Sequence, residues 1–317
     1  MTENAVSGKR RKIKYRLTPV FFAAAATMAL GGCAGKEPPG LEDAIQETGA
    51  YVRKTTPAPG ISSIGGEWAV IALQKGGVET EDYYYESYYD NVRAQVKSSG
   101  GILSEDTYTE YARVVLALCA IGEDPANVEG YDLTEPLDDY RIVTDQGINA
   151  AAFALLAAYT VGVSLENEEN YLDYIVTELE QENMYTVEDA SDYVAIALEG
   201  LAFYQERTDV KAAVEKGIKA LSGFQDADGG FGNCESTAEA IIALTQLGID
   251  VTKDSRFIKD GHSLQDGLME YYIRGGGFCH VAEEKEPNAM ATEKALLALD
   301  AIRLFEDGKT LYEREGE

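Results

Sequence analysis

The sequence predicts an all-α fold, a closed α/α toroid of about six inner and six outer helices, and three observations predict it. Alanine-rich apolar segments recur at 67–74, 110–121, 149–161, 192–203, 236–247 and 291–302, each with the 3.6-residue period of a buried helix rather than the alternation of a strand. Equivalent leucines in them, Leu73, Leu118, Leu155, Leu198, Leu244 and Leu299, stand 37 to 55 residues apart, the length of one helical hairpin. Longer, more charged amphipathic stretches separate them, at about 41–54, 82–97, 167–181, 210–225 and 254–273, with a shorter one near 135–143.

Residues 1–32 come first in chain order. A basic run over 9–16 is followed by an apolar stretch over 17–30, too short for a membrane span and ordered like a secretory signal peptide. The stretch ends in Leu30-Gly31-Gly32-Cys33, which resembles the lipobox of bacterial lipoproteins and implies that Cys33 is lipidated. Residues 33–40, with two prolines, read as a tether holding the following domain off an outer membrane surface. Residues 41–306 make the ring. Small residues such as Ala69, Ala72, Ala150, Ala240 and Ala243 let the inner helices approach closely, while the outer helices present the polar face. An open solenoid of helix pairs is the competing arrangement. Residues 307–317 read as a charged tail.

Beyond residue 32 the chain carries 21 Lys and Arg against 54 Asp and Glu, a formal charge of −33. Such a balance repels nucleic acid and excludes it as a partner. Calcium binding of the EF-hand type is excluded as well, because Phe231 stands where the loop beginning at Asp226 would need glycine. Cys119, Cys234 and Cys279 imply no disulfide framework.

A glycine-turn motif narrows the fold. In the fifth repeat Lys216-Gly217, Leu221 and Gln225 precede Asp228-Gly229-Gly230-Phe231-Gly232. Partial copies follow at Gly275-Gly276-Gly277-Phe278 and stand at Gly65-Gly66-Glu67-Trp68. These resemble the QW-type repeat of terpenoid cyclases and protein prenyltransferases. The wording around 64–70, 108–113 and 146–149 looks like the prenyltransferase-like modules of Gram-positive cell surfaces. The resemblance covers about 41–306; it implies a toroid in which the Gln and the aromatic tie neighbouring repeats together, and it is poor evidence for chemistry.

The usual chemistry of such folds lacks its residues here. A cyclase protonates an alkene through Asp-x-Asp-Asp, yet Pro136 stands at the first position before Asp138-Asp139, and Asp226-x-Asp228 runs on into Gly229. No Asp-Asp-x-x-Asp metal motif occurs, and no Asp-x-Cys pair for a prenyltransferase zinc. Catalytic residues, metal and cofactor are therefore all predicted as none. Cys234, Cys279 and His280 form the one conceivable zinc or disulfide cluster, with Asp228, Glu235 or His262 as a fourth ligand, against the plain reading of small residues flanking a turn.

The candidate site is the concavity at the N-terminal ends of the inner helices, where Glu67, Trp68, Glu110, Tyr111, Asn149, Asp192, Tyr193, Glu239 and Glu293 recur at similar repeat positions. Aromatic faces beside carboxylates suit a cationic or polyhydroxyl small molecule, or a peptide segment. The competing reading makes the acids helix-start residues favoured by the macrodipole and the aromatics core. The tyrosines of 83–89 place residues 84, 85, 88 and 89 on one helical face, packed on the inner layer. The expected function is a lipid-anchored surface protein that binds a ligand in the toroid cavity, with room for a membrane-protein partner. An enzyme acting on an isoprenoid or glycan and a structural surface module are the alternatives.

Overall fold

A computed structural model describes residues 38–81 and 83–314. The signal peptide, Cys33 and most of the tether lie outside the described residues. Where apolar side chains occupy every face of a segment the backbone becomes a helix buried all round, and the alanine-rich segments do this: α6 below has eleven of its fourteen residues buried. Twelve α-helices are described. They are α1 (Leu41–Thr55), α2 (Glu67–Lys75), α3 (Tyr84–Ser99), α4 (Thr109–Ile121), α5 (Tyr140–Asp145), α6 (Ile148–Val161), α7 (Glu168–Glu180), α8 (Ala190–Leu201), α9 (Thr208–Phe224), α10 (Cys234–Gln246), α11 (Leu264–Met269) and α12 (Ala289–Glu306).

The even-numbered helices form the inner set. Each packs on the next, α2 on α4, α4 on α6, α6 on α8, α8 on α10 and α10 on α12, and α12 returns to α2. The odd-numbered helices lie against this set: α1 on α2 and α12, α5 on α6, α7 on α6, α9 on α8 and α7, and α11 on α10. Tyr84 and Tyr88 of α3 are fully buried, and Tyr85 and Tyr89 pack partly against the core, as the tyrosine spacing predicts. Asn233 caps α10 by accepting from Ser236 N at 2.8 Å, and Asn288 caps α12 by accepting from Ala291 N at 3.1 Å.

Two stretches differ from their expectation. The segment 254–273, expected as one outer helix, holds only a 3-10 turn at Ser255–Phe257, α11, and the first strand of a hairpin in which β1 (Tyr272–Ile273) pairs antiparallel with β2 (Gly277–Phe278). Its apolar period is broken by a turn in which Asp260 and Gly261 both take positive φ, closed by the Lys259–His262 bridge. The expected charged tail is the other. Leu311 and Tyr312 are buried, and Gln246 at the end of α10 holds the Tyr312 backbone, donating to its carbonyl at 3.1 Å and accepting from its amide.

Candidate functional site

The N-terminal halves of α8, α10 and α12 open into a cleft of about 240 Å³ lined by Asp192, Ile196, Glu235, Glu239, Met290 and Lys294. The spacings explain the convergence: 192 and 196, 235 and 239, and 290 and 294 are each one helical turn apart, so each helix turns one stripe inward. The C-terminal halves of α2, α4 and α6 line a separate pocket of about 210 Å³ with Ile71, Lys75, Leu116, Cys119, Ala120 and Thr160. Residues 311–314 complete that pocket.

Lys294 organises the first cleft. Its ammonium lies 2.9 Å from a Glu239 carboxylate oxygen and 4.1 Å above the centre of the Trp68 ring, which in turn sits 5.8 Å from Phe153. Both partners of the ion pair lie largely below the surface, with side chains 12% and 7% exposed. Glu199, two turns along α8 from Asp192, is 1% exposed, and its Oε1 has no hydrogen-bond partner among the described residues. Burial, with Glu239 adding negative charge nearby and Lys294 opposing it, pushes the Glu199 carboxyl well above the usual range. Asp192 is raised too, mainly by burial, and accepts from Ser191 Oγ at 3.3 Å.

Of the residues expected at the ring opening, Trp68, Asp192 and Glu239 meet at this cleft. The others are placed elsewhere. Glu67 is fully buried between α2, α3 and α4; it accepts from Ser62 N at 3.0 Å and Tyr88 Oη at 3.4 Å, and pairs with Arg113 at 3.3 Å. Burial raises it to about 7 against the pull of Arg113. Glu293 accepts from Gly65 N at 3.0 Å, while its second oxygen has no partner among the described residues. Burial outweighs the Gly65 hydrogen bond and raises it to about 7 as well. These two acids thus fix the loop before α2. Tyr111 does similar work before α4, accepting from Leu103 N at 3.0 Å and donating to Ser104 O. Glu110 is half-buried and raised by burial. Asn149 keeps a buried Oδ1 without a partner among the described residues. Tyr193 is exposed and belongs to a separate groove of about 520 Å³ with Tyr174, Met184 and Val187.

Cys234 and Cys279 lie near one another, the first at the start of α10 and the second just after β2. Cys234 N donates to His280 O at 2.9 Å, but the two thiols are free and aim at different carbonyls, Cys234 at Ala291 and Cys279 at Tyr271. His280 pairs with Glu235 at 2.8 Å, which raises its pKa. Among the described residues no group of three His, Cys, Asp or Glu side chains is placed to hold a metal ion. The sequence reading missed Ile196, Glu235, Met290 and Lys294 as cleft residues, and Glu199 as the buried acid near the Glu239–Lys294 pair. Glu199 was within reach, since Asp192, Ile196 and Glu199 follow the i, i+4, i+7 spacing of one helical face.

The chain matches no protein-family model and no curated protein.

Proposed function

We propose that this chain is a bacterial lipoprotein, exported and held on the outer face of the cell membrane through Cys33, whose helical hairpins form an α/α toroid of the prenyltransferase-like type. In this reading it captures a small molecule or a peptide side chain in the cleft between α8, α10 and α12. The observation that supports it most is the pairing of that cleft with a buried, partly unsatisfied set of polar groups, Glu199, Glu239 and Lys294, beside Trp68. The return of α12 to α2 supports the toroid. At about 240 Å³ the cleft falls below the roughly 300–1,000 Å³ of drug-sized ligand sites, so it suits a compact group rather than a whole isoprenoid chain. With no Asp-x-Asp-Asp, Asp-Asp-x-x-Asp or Asp-x-Cys in the sequence, binding is favoured over the enzyme reading.

The cleft assignment is tested by mass spectrometry of molecules that co-purify with the full-length chain. Ile196→Trp fills the cleft and should strip a bound species. Retention in that variant, with loss in Tyr193→Ala, would move the site to the outer groove and overturn the assignment. The anchor is tested by labelling cells with a fatty-acid analogue. Wild type should label and Cys33→Ala should not; equal labelling ends the lipoprotein reading.

A further inference from the structure

Resting on the proposal that the cleft between α8, α10 and α12 binds a ligand, we infer that its ligand is a primary ammonium on an aliphatic stem, and that Lys294 is an internal placeholder for it. Lys294 reaches from α12 to a carboxylate on α10 and the indole face on α2, so its ammonium already occupies a box of negative charge and aromatic face. The cleft around its stem is lined by Ile196 and Met290, which suit methylenes. Stability does not account for the arrangement, because two well-packed apolar side chains serve a core as well as or better than a buried ion pair. Nor does the pair satisfy the polar groups beside it. Glu199 adds a second carboxyl within electrostatic reach of Glu239 and Lys294, buried to 1% exposure, with an oxygen that no described residue satisfies. Asp192 and Glu235 stand at the rim. Lys294 thus pairs with one carboxylate, Glu239, while Glu199 nearby keeps an unsatisfied oxygen and Glu235 is taken up by His280. An alkylammonium can take the place of the Lys294 head between Glu239 and the Trp68 ring, bring N–H donors near the unsatisfied Glu199 oxygen, and lay its stem against Ile196 and Met290, whereas a neutral or anionic ligand offers no cation for that box. It binds by displacing the Lys294 head toward the rim acids.

Trp68 is the sole tryptophan of the chain, so its fluorescence reports directly on what lies over its ring. The test titrates the full-length chain in detergent with n-pentylamine at constant ionic strength, with n-pentanol as the neutral isostere. Nα-acetyl-lysine amide distinguishes a peptide source from a free amine. Saturable response to pentylamine and not to pentanol is expected. Lys294→Met should tighten pentylamine binding about tenfold or more by removing the internal competitor, and Glu239→Gln should weaken it by a similar factor. Thermal unfolding of each variant separates loss of the fold from loss of the site. Equal responses to amine and alcohol, or unchanged amine affinity in a folded Lys294→Met protein, overturn the inference. If a neutral or anionic molecule co-purifies and is lost in Ile196→Trp, the cleft reading stands and only the ammonium assignment falls; if nothing is lost there, the cleft reading falls first.

Discussion

Gln225 ends α9 with its side chain buried, and its amide donates to two carbonyls, Gly229 O at 2.9 Å in its own turn and Phe257 O at 3.0 Å in the next repeat. One amide therefore holds both the glycine turn and the junction between hairpins, which is the tying role the motif implies. Gln225→Leu keeps most of the volume and leaves both carbonyls unsatisfied. With about 1–3 kcal/mol for each buried group that loses its partner, and some relief because Gln225 Oε1 is itself unpartnered among the described residues, the expected loss is roughly 2–4 kcal/mol. Chemical denaturation measures it, and an unchanged midpoint would remove the tie from the account. Similar reasoning separates neighbours at the start of α2. Glu67 is spent on Ser62, Tyr88 and Arg113, whereas Trp68 turns its ring to Lys294. Adjacent residues point about 100° apart on a helix, so a repeat position shared in sequence does not mean a shared cavity.

Individual helices show where sequence was a sufficient guide. The inner helices were legible because burial on all sides leaves a continuous apolar signature, and Glu67, Thr109, Ile148, Ala190, Cys234 and Ala289 begin them within two residues of the expected starts. The stretch 254–273 was not legible, since scattered apolar residues mimic a helical period while positive-φ turns decide the backbone. Glycines within it and just after it also serve close approach. A Cβ on Gly276 would lie 2.0 Å from the Glu47 carbonyl, and one on Gly267 would lie 2.4 Å from the Gly229–Gly230 backbone. Such contacts join segments far apart in sequence, and no local pattern announces them. The C-terminal segment was hidden for a related reason: two apolar residues among charged neighbours look like a tail until Gln246 of α10 is seen to hold them. The site was half legible. Repeat position brought Trp68, Asp192 and Glu239 forward, but Lys294 was overlooked beside Glu293 because choosing between them needs the direction each side chain takes.

Across the whole molecule the buried acids set how stability depends on pH. Glu67 and Glu293 are each raised to about 7, and Asp192, Glu199 and Asp300 are raised by burial. A carboxyl whose pKa is higher folded than unfolded holds more protons in the folded state, so stability falls as pH rises from the unfolded value near 4.5 to the folded value. For Glu67 and Glu293 that window runs from about 4.5 to about 7. His280, raised by Glu235, contributes stability at low pH that is lost as pH rises through its folded value, which has the same sign. The lowered acids Asp209, Asp250, Asp254 and Glu129 contribute stability lost only as pH falls through the acid range, below this window. A chain with a formal charge of −28 adds self-repulsion in the same direction. The Tm at fixed ionic strength should therefore be higher at pH 5 than at pH 8. Glu293→Gln, which can still accept from Gly65 N, should shrink the difference by removing one titrating group. A Tm that is flat or rises over this range, or a slope that Glu293→Gln does not alter, would mean that the buried acids are already ionised at pH 5 and that the interior is wetter than its packing indicates.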